Sequence, residues 1–495
     1  MDIFPAARYN LLGAGLKCAK KGADMPSKVP MSSFLLEKKP QLRKLVDRLN
    51  GIFAYASVLG SDVAGKNYRV ANRTTSIENT GERGFVARVY ENGRYFEHAF
   101  NQLPEDGAGL DALVARIAES AKRQDGGAFA YPLAEEEEMR EAFQGEVGQL
   151  PSALGPDKVV ARLAELNRKA SGVSPLVVEV VVTMGYAQVS KVFLSAKKDL
   201  EQSYVWAQAC LFAIARRDEI TRVFFKAFSG VKGPEILDEV DGAAEEAAGM
   251  ACKLLDAKPV PPGEHDVIFS PDAVGLIAHE AFGHGVELDM FLKNRANAER
   301  YIGKAVASPI VRMRDGARAA SHNGSYLFDD EGNMGGDTLI IEDGILRAGI
   351  SDALSAMRLG LAPTGNGRRE SYARKAYSRM TNTIIEPGKD SLEDMIASVK
   401  RGYFVDGAES GMEDPKDWGI QCMFSYAREI VDGKLTDNLV APVVMTGYVP
   451  DLLKAITMVS TGMAFSGAGY CGKGHKEYLK VSCGGPYIKT KARLG

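Results

Sequence analysis

HDVIFSPDAVGLIAHEAFGHGVELD, residues 265–289, is the stretch from which the rest of the chain can be read. Val267-Ile268-Phe269 has the apolar, β-branched composition of a short buried strand. Ser270 suits a helix N-cap, Pro271 has the φ that the first helical position needs, and Asp272 complements the positive end of the helix dipole. A strand should therefore pass directly into a helix carrying His279, Glu280 and His284. Their spacing, H-E-x-x-x-H, is one residue longer than the H-E-x-x-H of helical zinc sites. On a regular helix, residues four apart differ by about 40° around the axis and residues five apart by about 140°. Imidazoles so far apart cannot easily share one metal ion. A π-type turn would return them to one face, and such turns favour functional sites. Gly283 makes local distortion easier, so the expectation is an irregular turn at 281–284.

The plainer alternative is two histidines with ordinary packing roles. The chain has six His in 495 residues. A pair five apart with Glu directly after the first is then expected roughly 0.005 times by chance, which favours a site. Catalytic zinc usually holds three protein ligands and a water, so two imidazoles leave one ligand to find. Glu287, a distant cysteine and His475 are all candidates, and spacing does not choose among them.

Outward from this motif, Pro261-Pro262-Gly263 marks the clearest domain boundary. Residues 259–495 read as a β-rich C-terminal domain and 36–258 as a mixed N-terminal lobe, an α+β protein. Within that lobe, 36–50 reads as a surface helix starting near Pro40. Glu91-Asn92-Gly93 is a hairpin turn, and 108–122, 156–170 and 234–256 have helical period. Strands are expected around 175–196 and 202–229. The polar, acidic stretch 124–150 reads as a linker, with Glu135–Glu138 on a solvated face. Residues 1–35 form an N-terminal extension.

Composition excludes several classes. With 45% hydrophobic and 25% charged residues and a net charge of -3, the chain has no basic field for nucleic acid. No apolar run approaches the roughly 18 residues that span a bilayer. Asp2 and the lysines from 17 onward are in the wrong order for a secretory signal. Six scattered cysteines without a CxxC pair fit reduced thiols, so a cytoplasmic location is expected.

HEAFGHGVELD, with FDDEG at 328–332, TGNGRRESYA at 364–373, RMTNT at 379–383, EPGK at 386–389 and CGKGH at 471–475, resembles the TldD/PmbA family of zinc metallopeptidases. The resemblance runs from about residue 50 to the end and is most specific beyond the Pro-Pro-Gly boundary. It implies that His279, His284 and Cys471 bind Zn2+ and that Glu280 is the catalytic base. The substrates it implies are small or unfolded peptides, and the assembly a homodimer or a heterodimer with a related subunit. The first 35 residues have no counterpart in it. Two stretches depart from the family pattern: GAESGMEDPKDWGIQCMF, with Trp418 and Gln421-Cys422, and His475 where Gln is usual. A competing reading is a non-catalytic partner subunit with a structural zinc, closed by His475 or Cys483 as a fourth ligand. Arg368 and Arg369 are candidates for gripping a peptide carboxylate, or else a solvated ion-pair cluster. Asp329 and Asp330 could orient the imidazoles or merely close a turn.

Overall fold

A computed structural model describes residues 26–123, 129–467, 469–473 and 477–495. The N-terminal lobe is a seven-stranded sheet with helices on one face. Its elements are α1 (Ser33–Asn50), β1 (Tyr55–Ala71), β2 (Thr75–Glu91), β3 (Arg94–Phe100), α2 (Gly107–Lys122), β4 (Met139–Gln144), α3 (Pro156–Ser171), β5 (Val177–Ser195), β6 (Lys198–Arg217), β7 (Ile220–Gly230) and α4 (Leu237–Lys253). The strands run β3-β2-β1-β5-β6, with β4 and β7 both pairing β6. Alternation decides what each face meets. Val58, Phe85 and Val192 pack under Leu35, Leu42, Leu45 and Leu49 of α1, with α2 beside them. Tyr68, Val70, Val180 and Val182 pack under α3 and α4. Full burial of each such leucine contributes about 1.5–3 kcal/mol. Leu59, Val86 and Phe193 point the other way and meet Phe328 of the second half of the chain.

The hairpin expected at 91–93 joins β2 to β3, with φ of 48° at Asn92 and 78° at Gly93, the left-handed pair that a tight two-residue turn needs. Four expectations are corrected. Helix α1 begins at Ser33, capped by the Ser32 side chain, and Pro40 lies inside it. Burial of the apolar stripe outweighs the backbone hydrogen bond that proline removes. Residues 27–28 pair with 146–147, so the last part of the 1–35 segment belongs to the lobe. The stretch 124–150 is no linker where it is described: Met139–Gln144 runs parallel to β6 as an edge strand. Glu136 there accepts hydrogen bonds from Ser195 and Tyr55. The expected strand at 202–229 is two strands, β6 and β7, turned at Asp218 with φ 52°.

The second half is built on an eleven-stranded mixed sheet. Its parts used below are β8 (Gly263–Phe269), α5 (Pro271–Ala278), β9 (Met313–Asp315), β10 (Asn382–Ile385), β11 (Arg401–Glu413), β12 (Gly419–Val431), β13 (Met458–Phe465) and β14 (Ser482–Leu494). Strand β8 lies between β11, parallel to it, and β14, antiparallel. Helix α5 then crosses β14 so closely that a Cβ at Gly275 would stand 2.9 Å from the Gly484 nitrogen. Only glycine permits that approach, which fixes the helix, and everything it carries, against the sheet. No helix among the described residues is long and apolar enough to cross a membrane.

Candidate metal centre

The Ser270 side chain caps α5 by accepting from the Ala273 N–H, with Pro271 in the first turn. The regular helix ends at Ala278. Residues His279–Gly283 form a π-turn, with Phe282 at φ -126°, ψ 17°, and His284–Val286 a 3-10 turn. The irregular turn lies where the five-residue spacing demanded one. The role of Gly283 differs from expectation. Its φ is an ordinary -79°, and what it provides is room, since a Cβ there would meet Met380 Sδ at 2.1 Å.

This turn sets the two imidazole centroids 5.1 Å apart at 86°. Cys471 arrives from the strand Tyr470–Lys473, and its Sγ lies 3.3 Å from His284 Nε2. One donor atom each from His279, His284 and Cys471 lie within 4.8 Å of one another. His279 Nδ1 is buried and receives no partner among the described residues. Two nitrogens and a sulfur at this separation fit a tetrahedral zinc, with the fourth position left for water. Burial alone would raise the Cys471 thiol, but the charges of His284 and His279 outweigh it and hold it well below its ordinary value. Burial alone would lower His284, while Cys471 and Glu287 raise it well above. The thiol is therefore set up as a thiolate, the form that binds metal.

Glu287 is not in the donor triad but supports it. Its Oε2 lies 3.4 Å from His284 Nδ1 and 3.0 Å from Lys473 Nζ, while Oε1 is 4.0 Å from Arg379 Nε. Burial would raise this carboxyl, but Lys473, His284 and Arg379 hold it at about 2. Lys473 also reaches Asp289 at 2.6 Å, and Arg379 donates to the Cys471 carbonyl at 2.5 Å. Glu280 lies beside the triad, buried, with Gly411 against it; a Cβ there would be 2.5 Å from Glu280 Cγ. Lys473, Arg379 and Glu413, which also borders the site, were missed from the sequence. They come from three separate segments and leave no periodic signal.

Other expected residues lie elsewhere. Cys483 sits beneath α5, its thiol pushed up by burial, outside the triad. His475 falls outside the described residues. Arg368 and Arg369 are not free to grip a peptide, because protein acceptors occupy both guanidinium groups. Arg368 donates to the Met380 and Lys480 carbonyls, and Arg369 to Glu97 and the Arg374 carbonyl. The Asp329 carboxylate takes backbone N–H groups of Glu331, Asn333 and Gly367, and Asp330 pairs with Lys191. Both serve the turn and the contact between lobes, not the imidazoles. Trp418 is fully buried against Phe282, Tyr301 and Tyr448, so this departure from the family pattern belongs to the core beneath the π-turn.

The sequence pattern of the PmbA/TldA metallopeptidase C-terminal domain matches residues 262–493. A metalloprotease of Methanocaldococcus jannaschii is 36% identical over 260 residues, 52% of this chain and 57% of that protein. A zinc metalloprotease TldD homolog of Saccharolobus solfataricus is 33% identical over 231 residues, 46% of this chain and 51% of that one. The chain thus spans little more than half the length of these two curated relatives. Among solved structures, TldE from Thermococcus kodakarensis shares the fold with a TM-score of 0.73 at 18% identity, covering 92% of this chain and 99% of that one.

Proposed function

Because this chain belongs to the TldD/PmbA family, we propose that it is a zinc-dependent peptidase acting on small or unfolded peptides, with Glu280 as its base. The observation that carries this reading is the convergence of two imidazoles and a thiol within 4.8 Å, beside a buried carboxylate. A zinc ion bound there would supply Lewis acidity and lower the pKa of a water towards about 7. His279, His284 and Cys471 would hold it. Glu287, steadied by Lys473, would fix the ring orientation of His284 through Nδ1. Glu280 would take a proton from the attacking water as its oxygen bonds to the peptide carbonyl carbon, then deliver that proton to the leaving nitrogen as the C–N bond breaks.

The competing structural-zinc reading needs a fourth protein donor, and three groups meet at this point among the described residues. We further propose pairing with a second copy or a related subunit, which light scattering of the purified protein tests, and a cytoplasmic location that keeps the thiols reduced. Glu280→Gln is the decisive variant, since an amide cannot accept the proton. It should keep stoichiometric zinc and lose about a hundred- to ten-thousand-fold in hydrolysis of an unfolded peptide. Full activity in that variant removes Glu280 as the base, and wild-type activity indifferent to chelation removes the metal.

A further inference from the structure

Strand β11 ends beside the metal centre, and its last three residues alternate. Gly411 faces Glu280, Met412 points outward with 73% of its surface exposed, and Glu413 turns back inward. The Glu413 carboxyl stands beside Gly285, where an added Cβ would be 3.8 Å from Oε1, and it feels the charges of both His284 and Glu280. Both of its oxygens are buried, and neither receives a hydrogen bond among the described residues. A buried carboxyl without donors costs about 1–3 kcal/mol or more, so a fold retains one where something else supplies the donors.

The neighbouring charges say what kind of donor this is. Lys473 and Arg379 face Glu287 and Asp289. The two positive charges of a bound zinc would be matched by the Cys471 thiolate and Glu280. Burial pushes the Glu413 carboxyl up to about 9 against the pull of His284, and Glu280, Asp414 and Glu287 push the same way, so a positive group brought to it would favour its carboxylate form. We propose that Glu413 is a specificity-determining residue whose carboxylate receives a cationic group of the bound peptide, either its α-ammonium or a lysine ammonium. Met412, directly before Glu413, and Tyr470, 56% exposed and directly before Cys471, bring exposed side chains to both segments. This inference rests on the peptidase reading for the identity of its ligand.

Binding, read apart from catalysis, tests it. Two pairs of fluorescent, otherwise neutral peptides are mixed with the zinc-loaded protein, and the anisotropy is recorded by stopped flow before cleavage develops. One pair differs by a free or acetylated N-terminus, the other by an internal lysine or norleucine. In at least one pair the cationic member should bind about tenfold more tightly, and that pair identifies the source of the ammonium. With Glu413→Gln the preference should shrink to within about twofold, with zinc content unchanged. Equal binding within both pairs, a preference that survives Glu413→Gln, or loss of zinc in that variant overturns the proposal. Hydrolysis of the same peptides is scored separately: binding preference without cleavage rejects the peptidase reading and keeps Glu413 as a cation receptor.

Discussion

Asp315 and Glu413 are both carboxyl groups enclosed in the second half of the chain, yet their surroundings are opposite. Asp315, at the end of β9, receives four hydrogen bonds: Asn366 Nδ2 at 2.8 Å and Thr381 Oγ1 at 2.9 Å on one oxygen, and the Thr381 N–H at 3.1 Å and Thr383 Oγ1 at 2.6 Å on the other. Glu413 receives none among the described residues. The first group ties β9 to β10 and to the loop at 366, and has no capacity left for a ligand. The second leaves its capacity unused, as does His279 Nδ1. In this pair, the carboxyl that holds strands together is filled from within, and the one beside the metal centre is left open.

The largest effect expected under this distinction is at the thiols. Cys471→Ser should abolish stoichiometric zinc, because a neutral hydroxyl is a far weaker ligand than a thiolate flanked by two imidazoles. Cys483→Ser, under α5, should leave zinc nearly unchanged. Zinc quantified in both purified variants decides the matter, and the reverse pattern would move the site. Asp315→Ala should do the opposite, keeping the triad's chemistry but costing about 3–5 kcal/mol in denaturant unfolding, since its four donors lose their acceptor together. A loss below about 1 kcal/mol would mean those donors find other partners, and the contrast with Glu413 would weaken.

What could be read in advance follows the range of each interaction. The strand-to-helix passage at 267–278 and the π-turn were legible because cap, proline and histidine spacing all act within a few residues. Cys471 is 187 positions from His284, so the imidazoles alone left it level with Glu287 and His475. Only the resemblance favoured it. Arg379 and Lys473 stand in the motifs RMTNT and CGKGH, and Glu413 in the departing stretch GAESGMEDPKDWGIQCMF, but nothing local marks which of their side chains will border a distant turn. The misreading of 124–150 has a related cause. An edge strand is held by backbone hydrogen bonds, so its polar side chains resembled a linker, while Glu136 was in fact bonded to Ser195.

His322 qualifies the comparison, because it has an unfilled buried atom and is not one of the donor triad. Its Nδ1 has no partner among the described residues, and its ring stacks on Phe465 of β13 at 4.5 Å. Burial, with the nearby charges of Lys480 and Lys232, pushes it down to about 4. Since the folded-state value lies below the unfolded 6.5, the unfolded chain takes up a proton first as pH falls. The stability this neutral ring contributes is full above about pH 6.5 and is lost on descending to about 4, by about 3 kcal/mol. Denaturant titrations across that window, repeated on His322→Phe, should show the wild type losing stability more steeply. Parallel curves would mean that His322 already shares a proton in the fold.

Glu287 stands between the two classes and gives the smallest and finest test. Like Asp315 it is engaged, by Lys473 and His284, yet its Oε1 lies unfilled, 4.0 Å from Arg379. If satisfaction marks structural groups, it belongs mainly to the scaffold, acting on the metal only through the tilt and tautomer of His284. Glu287→Gln keeps the shape and an oxygen for Lys473 but removes the charge that favours a proton on Nδ1, leaving Nε2 less basic. Zinc affinity should fall about 10- to 100-fold, while hydrolysis per bound zinc changes much less. The measurement is a competitive chelator titration, followed by kcat at saturating metal. A fall in kcat at full zinc occupancy would give Glu287 a direct part in the chemistry. Unchanged zinc affinity would make the contact to His284 incidental and leave the carboxylate as a counter-charge for Lys473 alone.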